Sequence, residues 1–192
     1  MKNLTILFIL FSSISFSQQI DTDRPDQTES SSIIPHKSFQ IESGFLIEFD
    51  EMNTSYGTTS NTLPTTLFRY GLFDWLELRL VTEYSWTKSG NFRLQGMNDL
   101  QLGAKIQLLK KENVNTEIAF MSHVIVPSGT RNYSARYGTI NRFLISHQLN
   151  ENVNLGYNLG WDYYGTGNGN FTYTVALGTS VGDRFGFFIE PF

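Results

Sequence analysis

Charged side chains recur at alternate positions of long polar–apolar repeats in this sequence, and they are the residues whose chemistry could carry a function. The set comprises Glu42, Glu48, Arg69, Glu77, Arg79, Glu83, Asp99, Lys105, Glu117, Arg142 and Asp162. Carboxylates and cations that share a face can neutralise one another as a network, or they can line a path and contact a polar solute. Both interpretations stay open at this point, and a closed network can also act as a gate.

Enzymatic chemistry finds little support in the residue spacing. His36, His123 and His147 are far apart and share no metal-ligand spacing, and the chain has no cysteine. There is no Gly-x-Ser-x-Gly motif, and Gly165–Gly169 joins two predicted strands instead of opening a helix, which argues against a phosphate-binding loop. We therefore expect no enzyme, no cofactor and no metal.

The element that best explains the alternating charges is 76–86, which reads Leu-Glu-Leu-Arg-Leu-Val-Thr-Glu-Tyr-Ser-Trp. Alternation at period two predicts a β-strand with one apolar and one polar face. A helix would spread the same charges around its whole surface. A tilted strand of this length matches the hydrocarbon thickness of a bilayer, and Tyr84 and Trp86 fit an interfacial aromatic girdle.

The same alternation recurs along the chain and predicts nine strands. The first begins at Phe39, and the others are predicted at 65–72, 76–86, 99–108, 117–126, 139–149, 153–163 and 171–181 and from 185 onward. The register is less clear in the fifth and sixth strands, because both of their faces are apolar.

The connections alternate between long and short. The long ones are predicted at 50–63, 87–97 and 127–138, and the short turns at 73–75, 110–113, 150–152 and 182–184. A soluble β-sandwich does not need this alternation, whereas outer-membrane barrels have short periplasmic turns and longer extracellular loops. Because the spanning sheet must leave no edge in lipid, we predict an all-β, antiparallel up-and-down transmembrane barrel. Its apolar face would contact outer-membrane lipid, and its charged face would line the lumen.

The predicted organisation has three parts. Met1–Ser17, with Lys2 before an apolar run, is typical of a secretory signal peptide. Residues 18–38 form a polar, aperiodic segment, either a free tail or an extended segment inside the barrel. In the second case Asp23, Arg24 and Glu29 are gate candidates that pair with lumen groups. Residues 39–192 form the barrel, which we expect to need the assembly machinery of a Gram-negative outer membrane.

The composition argues against nucleic acid as a partner and against membrane-spanning helices. The net charge of −4 is not the basic balance that nucleic-acid binding requires. Charged residues make up 17%, below the soluble average of about a quarter. No apolar run outside the N-terminus is long enough to predict a membrane-spanning helix.

Several motifs together resemble one family. They are Thr22–Ser30 with Phe39–Phe45, Arg69–Leu72 with Leu76–Arg79, Asp99–Lys105, and Val126–Thr130. This set is similar to the outer-membrane transporters grouped under the meta-pathway of phenol degradation. The resemblance implies a barrel of about twelve strands and uptake of small, aromatic or otherwise hydrophobic solutes. Because such proteins continue for further strands, and because Pro191 cannot donate to a ladder, we expect the sequence to be truncated at its C-terminus.

Two functions follow from this sequence. The first is a porin-like channel or transporter for passive passage of small solutes through a polar, charged lumen. The alternative is a non-transporting structural or surface-binding barrel. A lumen open at both ends would favour the first, and a plugged lumen would favour the second.

Overall fold

A computed structural model of the chain describes residues 22–23, 27–50, 58–89, 91–134, 136–182 and 185–191, without the side chains of 48–50, 58–61, 63 and 89. Ten strands make up its regular structure: β1 (Phe39–Asp50), β2 (Thr58–Phe73), β3 (Leu76–Ser89), β4 (Phe92–Met97), β5 (Leu100–Leu109), β6 (Thr116–Val126), β7 (Gly138–Asn150), β8 (Val153–Tyr163), β9 (Asn170–Val181) and β10 (Phe185–Ile189). The described residues contain no helix. The prediction of an all-β fold is confirmed.

The strands form one antiparallel sheet in which consecutive strands pair, except that β4 and β5 both pair with β3. β4 and β5 lie end to end along β3, because β4 pairs with Tyr84–Ser89 of β3 and β5 pairs with Leu76–Val81. Among the described residues, β1 pairs only with β2 and β10 only with β9. Closure of the sheet into a barrel therefore stays a prediction.

Two predicted loops are partly strand. The prediction of a loop at 87–97 is wrong, because β3 extends to Ser89 and β4 occupies Phe92–Met97. The same hairpin makes the strand count ten instead of nine. The loop predicted at 50–63 is also too long, since β2 begins at Thr58 and continues past Pro64 through a register shift. Residues 58–62 and 87–89 are polar on both faces, so these strand ends leave no hydrophobic alternation to detect. β4 does alternate Phe92 and Leu94 with polar residues, but over too few positions to distinguish it from a loop.

The two faces of the sheet differ as the alternation predicts. We call the face that contacts residues 22–23 and 27–38 the inner face and the opposite one the outer face. On β3, Leu78 is 41% exposed on the outer face, whereas its neighbour Arg79 is 4% exposed on the inner face. On β5, Leu102 is 50% exposed and Lys105 is fully buried. Large apolar side chains therefore cover the outer face, and charges concentrate on the inner one.

The inner face of β6 and β7 differs, because apolar residues lie there between the polar side chains of Glu117, His123 and Arg142. A buried cluster there consists of Ala119, Met121, Ile125, Ile140 and Leu144. Both faces of these two strands thus carry apolar residues, which is why their alternation is blurred in the sequence. We call this group the apolar cluster.

Candidate functional site

Residues 22–23 and 27–38, which we call the N-terminal segment, lie along the inner face of the sheet. The segment is anchored beside β2, where the backbone N–H of Lys37 donates to the Gly71 carbonyl at 2.8 Å. Gly71 has to be glycine, because a Cβ atom would overlap the carbonyl oxygen of Pro35. At its far end the segment reaches Glu190, whose carboxylate accepts from the backbone N–H of Gln27 at 3.0 Å. The segment therefore connects both ends of the described sheet.

Asp23 is the centre of the contacts between the segment and the sheet. Its Oδ2 atom accepts from Arg79 Nη1 at 2.6 Å and from Lys105 Nζ at 2.7 Å. Its backbone N–H donates to the carboxylate of Glu42 at 2.9 Å. Burial alone would raise the pKa of the Asp23 carboxyl, but the charges of Lys105, Arg79 and Arg69 outweigh it and hold that pKa well below its usual range. Asp23 is therefore ionised at neutral pH.

Arg69 and Arg79 lie directly opposite each other on β2 and β3. Two like charges at such a pair repel one another. Glu77 separates them, because its Oε1 atom accepts from Arg69 Nε at 2.8 Å and from Arg79 Nη1 at 2.9 Å. Glu42 holds the other side of Arg69 at 2.9 Å, and Glu29 of the segment holds Arg79 at 2.8 Å. The two arginines are thus neutralised by carboxylates from both the sheet and the segment.

Lys105 depends on the N-terminal segment for its hydrogen bonds. Its ammonium donates to Asp23 and to the backbone carbonyls of Ser30 at 2.9 Å and Ser32 at 3.4 Å. All three acceptors belong to the segment, and the lysine is fully buried. Burying an ammonium without such partners would cost several kcal/mol. The segment and the sheet therefore complete one buried charge cluster: Asp23, Glu29, Glu42, Arg69, Glu77, Arg79 and Lys105.

His123 extends the cluster towards β6. Its Nε2 atom accepts from Arg79 Nε at 3.1 Å, which assigns the proton to Nδ1, facing Gln101 at 3.3 Å. Gly103 makes this packing possible, since a Cβ there would overlap the His123 ring. His123 is satisfied as a neutral ring within the inner face.

Two more residues of the predicted set, Arg142 and Glu117, have longer or more exposed ion pairs than those within the cluster. Arg142 is 3.6 Å from Glu29 and 3.4 Å from Asp162, so its ion pairs are longer than those in the cluster. Glu117 pairs with Lys110 at 3.1 Å in a partly exposed position. The inner face therefore contains both tightly and loosely held charges.

Two further predicted residues, Asp99 and Glu83, accept hydrogen bonds from neutral groups. Asp99 accepts from the backbone N–H groups of Ser128 and Gly129 at 2.9 Å, so it anchors the turn after β6. Glu83 accepts from Asn98 Nδ2 at 3.1 Å. Arg24 and the side chain of Glu48 lie outside the described residues.

Several contacts of the segment involve neutral side chains that sequence reasoning missed. Ser31 Oγ and Ser146 Oγ are 2.6 Å apart. Thr28 Oγ1 donates to the Glu190 carboxylate at 2.6 Å. With its amide turned to fit its neighbours, Asn158 accepts from the Glu29 backbone N–H at 2.7 Å. Thr28 and Ser31 lie in the aperiodic segment, where the sequence assigns no face, and the alternation at 153–163 marks Asn158 only as one of several polar positions on one face.

Two cavities lie on opposite sides of the N-terminal segment. The loop-side cavity, of about 740 Å³, is lined by Thr22, Asp23 and Glu29 of the segment and by strand residues on the side of the β3–β4 hairpin. The turn-side cavity, of about 410 Å³, is lined by residues 28–32 and by Asn115 near the β5–β6 turn. The segment therefore separates two spaces on the inner face.

Among the described residues, no group of three His, Cys, Asp or Glu side chains could hold a metal ion. The model of the family described as "Putative MetA-pathway of phenol degradation" matches residues 22–191. No curated protein and no solved structure matches the chain.

Proposed function

The chain belongs to the family of the MetA-pathway of phenol degradation, and from this premise we propose that it is an outer-membrane channel for passive passage of small solutes. In this proposal the sheet closes as a barrel, the outer face contacts lipid, and the N-terminal segment closes the lumen at rest. The family description supports aromatic compounds as one class of solute. No catalytic step is part of the proposal.

The outer face supports a membrane setting. Large exposed apolar side chains occur along most strands, including Phe39, Ile41, Leu102, Phe143, Phe171 and Phe187. A continuous apolar surface of this kind is unusual on a soluble monomer, but it is required next to lipid. No helix among the described residues is long and apolar enough to cross a membrane.

The observation that carries the proposal is the polar segment between two cavities. Of its described residues, only Ile34 is a buried apolar side chain. The other contacts are ion pairs and hydrogen bonds, which water can replace when the segment moves. A permanent plug would be expected to pack through apolar contacts, because water cannot replace the free energy of these contacts when the plug leaves. The polar character of the segment therefore supports a reversible gate.

A structural barrel without transport is the second candidate. It is favoured by the burial of the charge cluster, because Arg69, Glu77 and Lys105 are at most 1% exposed. Breaking a buried pair costs about 3–5 kcal/mol, so a segment held this firmly could stay in place permanently.

Liposome swelling separates the two candidates. Full-length protein would be reconstituted and tested with a panel of sugars, amino acids and aromatic acids. We expect size-limited swelling that becomes faster when residues 21–32 are deleted. Because this deletion removes two carboxylates of the cluster, Asp23→Asn with Glu29→Gln provides a milder second variant, and Glu117→Gln provides a control outside the cluster. Swelling in none of the folded proteins would establish the structural alternative.

A further inference from the structure

The loop-side cavity has the features of a binding site for a small molecule. Its volume of about 740 Å³ lies within the range of ligand pockets. Its floor is the N-terminal segment, so the cavity exists while the segment is docked. A solute could therefore bind there before the segment moves.

The walls of this cavity include two apolar patches. Leu67 and Val81 form one on β2 and β3, and Ile140, beside the fully buried Met121, forms the other on β6 and β7. A passage for water and simple ions does not need apolar walls, whereas an apolar ligand body gains free energy by contacting them. The patches therefore indicate a ligand with an apolar part.

The charges around the cavity favour a cation. Arg79 is held by three carboxylates, and Arg142 lies near two. Glu83 also lines the cavity, and no Lys, Arg or His nitrogen within the described ranges lies within 4.0 Å of its carboxylate. Its carboxylate accepts a hydrogen bond from the neutral side chain of Asn98 at 3.1 Å. The unbalanced charge in the described wall is thus negative and lies at Glu83.

One feature of the cavity favours an anionic ligand instead. The Nε atom of Arg142 is buried and has no hydrogen-bond partner among the described residues. It could donate to an anionic ligand, but Glu29 and Asp162 beside the same guanidinium would repel that anion. The carboxylates around Arg142 therefore also disfavour an anionic ligand.

We propose that the loop-side cavity binds small amphipathic cations, with the ammonium group at Glu83 and the apolar body against the apolar patches. This inference deepens the proposed function, because it names the class of solute that occupies the resting channel. The binding step itself requires no transport.

Three probes of similar size and different charge test the proposal: benzylammonium, benzyl alcohol and benzoate. Their affinities for full-length protein in detergent would be measured by calorimetry, with micelles alone as the blank. We expect benzylammonium to bind most tightly and benzoate least. Glu83→Gln should weaken benzylammonium binding about fivefold, since the ion pair is only half-buried. The same variant should leave the affinity for benzyl alcohol unchanged. Glu83→Asp should retain the preference for the cation.

Glu117→Gln is the matched control, because this carboxylate faces Lys110 near the β5–β6 turn. It should leave all three affinities unchanged. Tightest binding of benzoate, equal binding of the three probes, or an undiminished preference in Glu83→Gln would overturn the inference. If the ranking holds but liposomes show no swelling, the channel function fails while the binding site stands.

Discussion

The inner faces of β2, β3 and β5 carry a cluster of paired charges, whereas those of β6 and β7 carry a cluster of apolar side chains. In the first region, Arg69, Glu77 and Lys105 are buried only together with the N-terminal segment. In the second, Met121 and Leu144 are fully buried within the apolar cluster. The charged region needs polar partners at defined positions, while the apolar region needs only matching volume.

The difference indicates how each region responds to loss of the segment. The charge cluster would lose Asp23 and Glu29, and Lys105 would keep none of its three acceptors. The buried members of the apolar cluster all come from β6 and β7. Movement of the segment should therefore expose the charged region to water and leave the apolar cluster as a fixed wall.

The largest expected effect comes from Glu77→Gln. This change leaves Arg69 and Arg79 opposite each other without the carboxylate that separates them. We expect a loss of about 3–5 kcal/mol in the free energy of unfolding, measured by urea unfolding in detergent micelles. Glu117→Gln, at a partly exposed pair, should cost about 0–1 kcal/mol. Equal losses would mean that the charge cluster has no special role.

A smaller loss is expected for Leu144→Ala in the apolar cluster. Removing this fully buried side chain leaves a cavity and should cost about 2–4 kcal/mol. The same urea titration measures it. Deleting residues 21–32 in addition should not change this cost, because the cluster lies within β6 and β7. A strong coupling between the two changes would contradict the separation of the regions.

A still smaller effect is expected where the segment is held by neutral groups. Ser31 is 2% exposed and its hydroxyl bonds that of Ser146 at 2.6 Å. Ser31→Ala should lower the free energy of unfolding by about 1 kcal/mol. If the segment docks and undocks as a gate, the variant should also swell liposomes slightly faster than the parent protein.

The smallest effect is expected from mild acid. Because the folded-state pKa of Asp23 lies below its unfolded value, its contribution to stability is fully present above about pH 4 and is lost only as pH falls through the folded-state pKa. Swelling rates should therefore show no Asp23-dependent change between about pH 5 and pH 8. A rise within that range that Asp23→Asn abolishes would contradict the assigned charge state.

Much of this arrangement could be predicted from the sequence. Alternation at period two placed Leu78 and Leu102 on one face and Arg79 and Lys105 on the other, because a β-strand has only two faces. The family was also predicted correctly from the motifs, since the family model matches residues 22–191. The strand at Phe92–Met97 was missed, because its alternation of Phe92 and Leu94 with polar residues is too short to distinguish it from a loop, and its pairing with β3 is not visible in the sequence.

Only the tertiary structure decided which charges meet. Asp23 and Lys105 are separated by 82 positions, yet their side chains are 2.7 Å apart, and no local pattern specifies such a pair. The sequence also did not determine which apolar residues of β6 and β7 face inward, because an apolar residue fits either lipid or a packed interior. Periodicity thus determined the face of residues in the clearly alternating strands, while the path of the N-terminal segment across the sheet determined the partners of the buried charges.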